Sequence, residues 1–168
     1  ASDPSNEKFL HNEFGVNYRF GKLGLNASAY NTDWQDRNLT KSVTTGQGSS
    51  GDTDIIFLTG VNQKHQGLEL ETNYMVNDML DLMFVASFGN WKFDGDADGT
   101  YQETEYNSEG QAVGFQTTEY AYALDGLYVG DMPQTAYVLG VTLKPVKGLS
   151  LQAIHKTYDK NYSDWSPS

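Results

Sequence analysis

The sequence predicts an all-β chain: a segment of an antiparallel up-and-down transmembrane β-barrel, with about six strands in three hairpins. Three observations predict it. Apolar residues recur with a period of two, the apolar faces carry no charge, and tight turns alternate with long polar connections. Period two is the strand period, because successive side chains of a pleated chain point to opposite faces.

Over 13–20, Phe14, Val16, Tyr18 and Phe20 share one face, and Glu13, Gly15, Asn17 and Arg19 share the other. Gly21-Lys22 gives a tight turn. The second strand carries Leu23, Leu25, Ala27 and Ala29 against Asn26, Ser28 and Tyr30. In the third, Leu68, Leu70, Tyr74 and Val76 alternate with Glu69, Glu71 and Asn73, and Asn77-Asp78 turns the chain into Leu80, Leu82, Phe84, Ala86 and Phe88. The last pair places Tyr137, Leu139, Val141 and Leu143 on one face, then a turn over 145–148, then Leu149, Leu151 and Ala153. Met83, Val85 and Val138 break the pattern by sitting on the nominally polar face.

Connections within hairpins are short, whereas those between hairpins are long and polar, near 44–54 and 94–124. Short turns at one end and long loops at the other describe an outer-membrane barrel, with turns in the periplasm and loops outside the cell. On this reading 1–168 is part of a single β-barrel domain in the bacterial outer membrane. Trp34 and Trp91 each lie eleven positions beyond the start of a strand, at Leu23 and Leu80. At about 2.3 Å of height per tilted residue they stand roughly 25 Å from the turns, where an interfacial aromatic girdle is expected. Trp165 would stand beyond the lipid.

Composition narrows the function. The formal net charge of −11 excludes a nucleic-acid partner, which needs a basic face. There is no cysteine, hence no disulfide and no thiolate metal site. No apolar run approaches the roughly 18 residues of a membrane-spanning helix. A soluble antiparallel sandwich also alternates, but its solvent face should be more polar and its loops short at both ends. Six lipid-facing strands cannot close on themselves, because an open edge strands backbone groups in hydrocarbon. Either the chain is a piece of a larger barrel, which is the expectation, or several copies assemble.

Several stretches resemble the TonB-dependent receptors of the outer membrane, Bacteroidota type. They are Glu7-Lys8-Phe9-Leu10-His11-Asn12-Glu13, Tyr30-Asn31-Thr32-Asp33-Trp34-Gln35-Asp36-Arg37, Thr59-Gly60-Val61-Asn62-Gln63-Lys64-His65-Gln66-Gly67-Leu68-Glu69-Leu70-Glu71, and Pro133-Gln134-Thr135 with Lys147-Gly148-Leu149. The resemblance implies a barrel of about 22 strands filled by an N-terminal plug. It also implies energised import of a scarce nutrient (siderophore, glycan or peptide) through TonB. This chain would lie in the C-terminal half of the barrel. Implied partners are the rest of the barrel and plug, TonB through the N-terminal part, outer-membrane lipid, and a surface lipoprotein. The alternatives are a barrel that only anchors a surface binding or adhesion protein, and a soluble β-sandwich binding domain.

No enzymatic set is visible. His11, His65 and His155 are scattered and read as solvated strand residues. Glu69 and Glu71 share a face as a lumen wall, not as a glycosidase pair. Gly46-Gln47-Gly48 is too short for a phosphate cradle, and Asn38-Leu39-Thr40 is a chance sequon. Gly67 is expected to relieve a bend or bulge. Asp33-Trp34-Gln35-Asp36-Arg37 is read as an interfacial anchor with an Asp–Arg pair. Tyr101, Tyr106, Phe115, Tyr120 and Tyr122, in the second long connection, are candidates to stack on a sugar or peptide. The same stretch carries a candidate calcium loop. Asp94, Asp96 and Asp98 alternate, the Thr100 carbonyl follows, and Glu105 stands twelfth from Asp94, the spacing of an EF-hand loop. Ca2+ is the one cofactor expected.

Overall fold

The computed structural model describes residues 6–45 and 52–163, with backbone alone for 41–45 and 52–54. Gly46, Gln47, Gly48 and Trp165, and with them the middle of the first long connection, lie outside the described residues.

The fold is all-β and antiparallel, as the alternation predicts. Eight strands form one sheet: β1 (Lys8–Phe20), β2 (Leu23–Thr45), β3 (Asp52–Asn77), β4 (Leu80–Phe93), β5 (Ala97–Tyr106), β6 (Ala112–Tyr122), β7 (Pro133–Val146) and β8 (Leu149–Asn161). The order is β1-β2-β3-β4-β7-β8, with β5 paired to β3 and β6 paired to β5. The expected count of six strands is corrected by β5 and β6, which occupy the connection expected to be a loop. No apolar stripe announces them. Threonine and tyrosine favour extended backbone without one, and Thr100, Gln102 and Thr104 alternate there with Tyr101, Glu103 and Glu105.

Two-residue turns join β1 to β2, β3 to β4 and β7 to β8. Gly21 and Gly148 take left-handed φ values of 55° and 87°, which a hairpin turn requires and a side chain resists. At the β3–β4 turn the Asn77 Oδ1 accepts the Met79 N–H at 2.8 Å, a local clasp of the kind asparagine supplies.

The chain divides into two compact units. The first comprises Ala1–Phe9, Asp33–Gln63 and Phe93–Leu127; the second comprises Leu10–Thr32, Lys64–Lys92 and Tyr128–Ser168. The first unit is organised as a water-soluble protein is. Ile56, Leu58, Val61, Phe93, Ala97 and Leu124 are buried, at 1–4 % exposure. Gly60, at φ 68°, interrupts the alternation between Leu58 and Val61, so that residues three apart are both buried. The β5–β6 hairpin completes this core, since Leu58 pairs with Gly99 and Ile56 with Tyr101.

The second unit reverses that organisation. Among the described residues its buried side chains are mostly polar, namely Thr32, Gln134 and Thr135, and Ala86 is the buried apolar one. Its large apolar side chains are exposed: Phe14 at 74 %, Phe20 at 71 %, Leu68 at 58 %, Leu139 at 54 % and Leu151 at 55 %. Register aligns them across strands, with Leu82 opposite Val141, Phe84 opposite Leu139 and Ala86 opposite Tyr137, and Leu143 opposite Leu151. Phe88 and Tyr137 meet edge to face at 5.7 Å. Among the described residues no second sheet covers this face. The strand lengths within this unit, 10–20, 23–32, 64–77 and 80–92 with all of β7 and β8, are ten to fourteen residues.

Candidate functional site

The five candidate stacking residues do not form one surface. The β5–β6 register sets Gly99 opposite Tyr120, Tyr101 opposite Thr118, Glu103 opposite Gln116 and Glu105 opposite Gly114. Opposed residues share a face. One face of the hairpin therefore carries Tyr101, Tyr120 and Tyr122 with Glu103 and Glu105. Phe115, opposite Thr104, lies on the other face with Glu119. Tyr106, even-numbered like Thr104 on β5, pairs with Ala112 across a register shift.

On the first face the three tyrosines form a ladder. Tyr101 and Tyr120 meet edge to face at 6.3 Å, as do Tyr120 and Tyr122. The Tyr122 ring lies on Gly99, where an added Cβ would overlap the ring and come within 2.7 Å of Leu58 Cδ2. Gly99 thus lets the ladder rest on the core of its unit. Burial pushes the Tyr122 phenol above its usual range, and the nearby Tyr120 adds to the shift. Tyr120 itself is 51 % exposed.

The calcium candidates are not brought together. Asp94, Gly95 and Asp96 form the link between β4 and β5. Gly95 donates its N–H to Asp125 Oδ1 at 2.9 Å, and Asp125 donates its own to Asp96 Oδ1 at 3.1 Å. Asp98, Thr100 and Glu105 then lie along β5. Seven residues of extended chain place Asp98 roughly 23 Å from Glu105, whereas an EF-hand holds all its oxygens within about 2.6 Å of one ion. Among the described residues no three acidic, histidine or cysteine side chains gather as a metal site would need. The spacing presupposed a loop; strand pairing stretched it out.

The Asp36 carboxylate pairs with Lys8 at 3.1 Å, and the Arg37 guanidinium lies 3.7 Å over the Trp34 ring. Trp34 donates Nε1–H to Glu7 at 2.9 Å and meets Phe9 edge to face. Arg37 donates to Gln63 Oε1 at 2.6 Å, while its Nε, shielded from water, has no acceptor.

In the second unit a cluster that the sequence did not suggest runs across β1 to β4. The Trp91 Nε1–H donates to the Tyr30 hydroxyl at 2.9 Å, and the Trp91 ring stacks on His65 at 5.2 Å. His11 stacks on Tyr30 and hydrogen-bonds Thr32 Oγ1 at 2.7 Å. Neither His11 nor His65 is a simple solvated strand residue. Gly67 does not have the left-handed φ expected of a bulge glycine. It makes room for Tyr30, whose ring occupies the place of an added Cβ. The buried Gln134 accepts the Trp91 N–H and donates to the Trp91 carbonyl. Trp91 is thus engaged by polar neighbours through both its backbone and its indole N–H.

This cluster shares its face with two concavities. One, of 410 Å³, is lined by Glu13, Asn17, Asn26, Glu69, Glu71 and Ser87 among others. The other, of 510 Å³, is lined by Arg19, Lys22, Asn73, Asp81, Thr142 and Gln152 among others. Asp81 there is ion-paired with Lys144. Compared with known proteins, the chain matches no protein-family model, no curated protein and no solved structure. The functional reading rests on its own residues: one apolar, uncovered face and one polar face rich in carboxylates, amides and aromatic hydrogen-bonding groups.

Proposed function

We propose that this chain is a stretch of barrel wall from a TonB-dependent outer-membrane receptor, importing a scarce nutrient such as a siderophore, glycan or peptide. The observation that carries the membrane part is the reversed burial of the second unit. Leaving Phe14, Phe20, Leu68, Phe88, Leu139, Leu143 and Leu151 largely in water forgoes on the order of 10 kcal/mol at about 1.5–3 kcal/mol per buried side chain. That equals the net stability of an ordinary domain. Lipid supplies the missing burial, and strands of ten to fourteen residues are long enough to cross the apolar band at a tilt. The first unit, with its own core, is then the part that stands in water.

The receptor part rests on the resemblance of the stretches around Glu7, Tyr30, Thr59 and Pro133. It brings the plug, TonB and a surface lipoprotein as proposed partners. The separate core of the first unit also suits a barrel that anchors a surface binding protein. The test uses the full-length protein in intact outer membrane. Single cysteines at Phe14, Val16, Leu70, Phe84 and Leu139 should react with a lipid-phase maleimide, and those at Asn17, Asn26, Glu69 and Asn73 with a water-soluble one. The reverse pattern, or equal labelling of both sets, removes the barrel. A plug domain with a TonB box upstream, and uptake abolished by dissipating the inner-membrane gradient, separates receptor from anchor.

A further inference from the structure

Charge is divided between the two units without remainder. The first holds fourteen Asp and Glu against three Lys and Arg, and the second holds eight against eight. The entire formal charge of −11 therefore belongs to the first unit, and the second is neutral. The first unit also carries the tyrosine ladder. From these two observations we propose that the Tyr101–Tyr120 face of the β5–β6 hairpin is a docking surface for a cationic peptide, with arginine or lysine side chains set against the ring of Tyr120 and the carboxylate of Glu103.

Geometry selects this face of the hairpin. Tyr101 and Glu103 are two residues apart on β5, so they project to the same side. Gln116 stands opposite Glu103, and Glu105 follows one step further along. Exposed Tyr120 lies opposite Gly99, four positions from Glu103 along the hairpin, so separate cationic side chains of one peptide make the cation–π contact on Tyr120 and the charge-assisted hydrogen bond to Glu103. The ladder is preorganised, because the Tyr122 ring lies over Gly99 and the three rings meet edge to face, so little side-chain freedom is lost on docking. Phe115, on the opposite face, is 69 % exposed but has no ring contact of this kind with the ladder.

Charge selects the ligand. A unit of formal net charge −11 attracts cations and raises their encounter rate, and it repels anionic ligands such as acidic glycans. The proposal thus deepens the receptor reading by naming a substrate class, and rests on that reading only for the step of import.

The experiment is equilibrium binding to the full-length protein in detergent micelles. The probes are the peptide Gly-Arg-Gly-Arg-Gly and its Gln and Glu counterparts. The variants are Tyr120→Ala and Glu103→Gln on the proposed face, with Phe115→Ala and Glu119→Gln on the other. The arginine peptide should bind and weaken as salt rises. The Gln and Glu peptides should not bind. Tyr120→Ala and Glu103→Gln should each weaken binding roughly five- to tenfold, while Phe115→Ala and Glu119→Gln change it by less than about twofold. Absence of binding, equal binding of the Gln peptide, or equal losses on both faces overturns the proposal. Because binding in micelles does not require the barrel orientation, such a failure is distinct from failure of the cysteine-labelling test.

Discussion

Tyr30 on β2 and Gly67 on β3 fit into one another: the phenol ring fills the space a side chain at 67 would take, and its hydroxyl accepts the Trp91 indole N–H from β4 at 2.9 Å. One residue without a side chain thereby lets an aromatic ring bridge three neighbouring strands. Gly67→Ala should cost roughly 1–3 kcal/mol as the ring is forced off the strand. Tyr30→Phe should cost about 0.5–1.5 kcal/mol through the lost hydrogen bond. The two sites are coupled, so Gly67→Ala should cost little in a Tyr30→Ala background. Urea unfolding of the parent and the four variants in detergent tests this. Equal costs in both backgrounds would mean that the ring does not rest on the glycine.

The two faces of the second unit should respond oppositely to charge. Phe84 pairs with Leu139 on the apolar face. Phe84→Arg should destabilise by about 2–4 kcal/mol near the midplane of the bilayer. Asn26, which lines the polar concavity, should accept arginine at less than about 1 kcal/mol. Folding in lipid vesicles measures both. Comparable costs at the two positions would indicate that both faces meet the same solvent.

The alternation was legible wherever one face is apolar, and it located the six strands of the path β1-β2-β3-β4-β7-β8. It was silent at β5 and β6, because neither face there is an apolar stripe and pairing decides the structure, β5 with β3 and β6 with β5. The tyrosines were legible as candidates, but their division into two faces needed the register. The face of each tryptophan was also legible. An offset of eleven is odd, so in an unbroken strand Trp34 lies opposite Leu23 and Trp91 opposite Leu80. Height alone had suggested an anchor. The cluster of His11, Tyr30, His65 and Trp91 was not legible, since its members come from four strands and meet only in the folded sheet.

Calcium removal should leave the β4–β6 region unchanged. The turn of Asp94 to Asp96 is held by hydrogen bonds with Asp125, and Asp98 and Glu105 are fixed apart by pairing along β5. Amide exchange over 94–106 should be the same with and without chelator. Faster exchange on adding chelator, reversed by calcium, would require the strand to give way to a closed loop.

Asp36 is the strained point of the first unit. It takes a left-handed φ of 59° within β2, where an L-residue pays roughly 1–2 kcal/mol. Its N–H donates to Asn62 Oδ1 at 3.0 Å, which helps to hold the distortion. The consequence is local. Residues three apart in a regular strand face opposite ways, yet Arg37 lies over Trp34 because the chain kinks between them. Asp36→Gly removes the steric cost and loses only the Lys8 pair, whose side chains are 71 % and 42 % exposed, so its contribution is at most about 1 kcal/mol. Glycine also adds backbone freedom to the unfolded chain, costing about 0.5–1 kcal/mol, so the changes largely cancel and stability should stay within about 1 kcal/mol of the parent. Asp36→Val keeps the strain and adds branching at Cβ. It should destabilise by about 1–3 kcal/mol and release Arg37 from the indole, seen as a change in the near-ultraviolet circular dichroism of Trp34. If valine proves as stable as glycine, the backbone at 36 is ordinary strand and Trp34 and Arg37 meet for another reason.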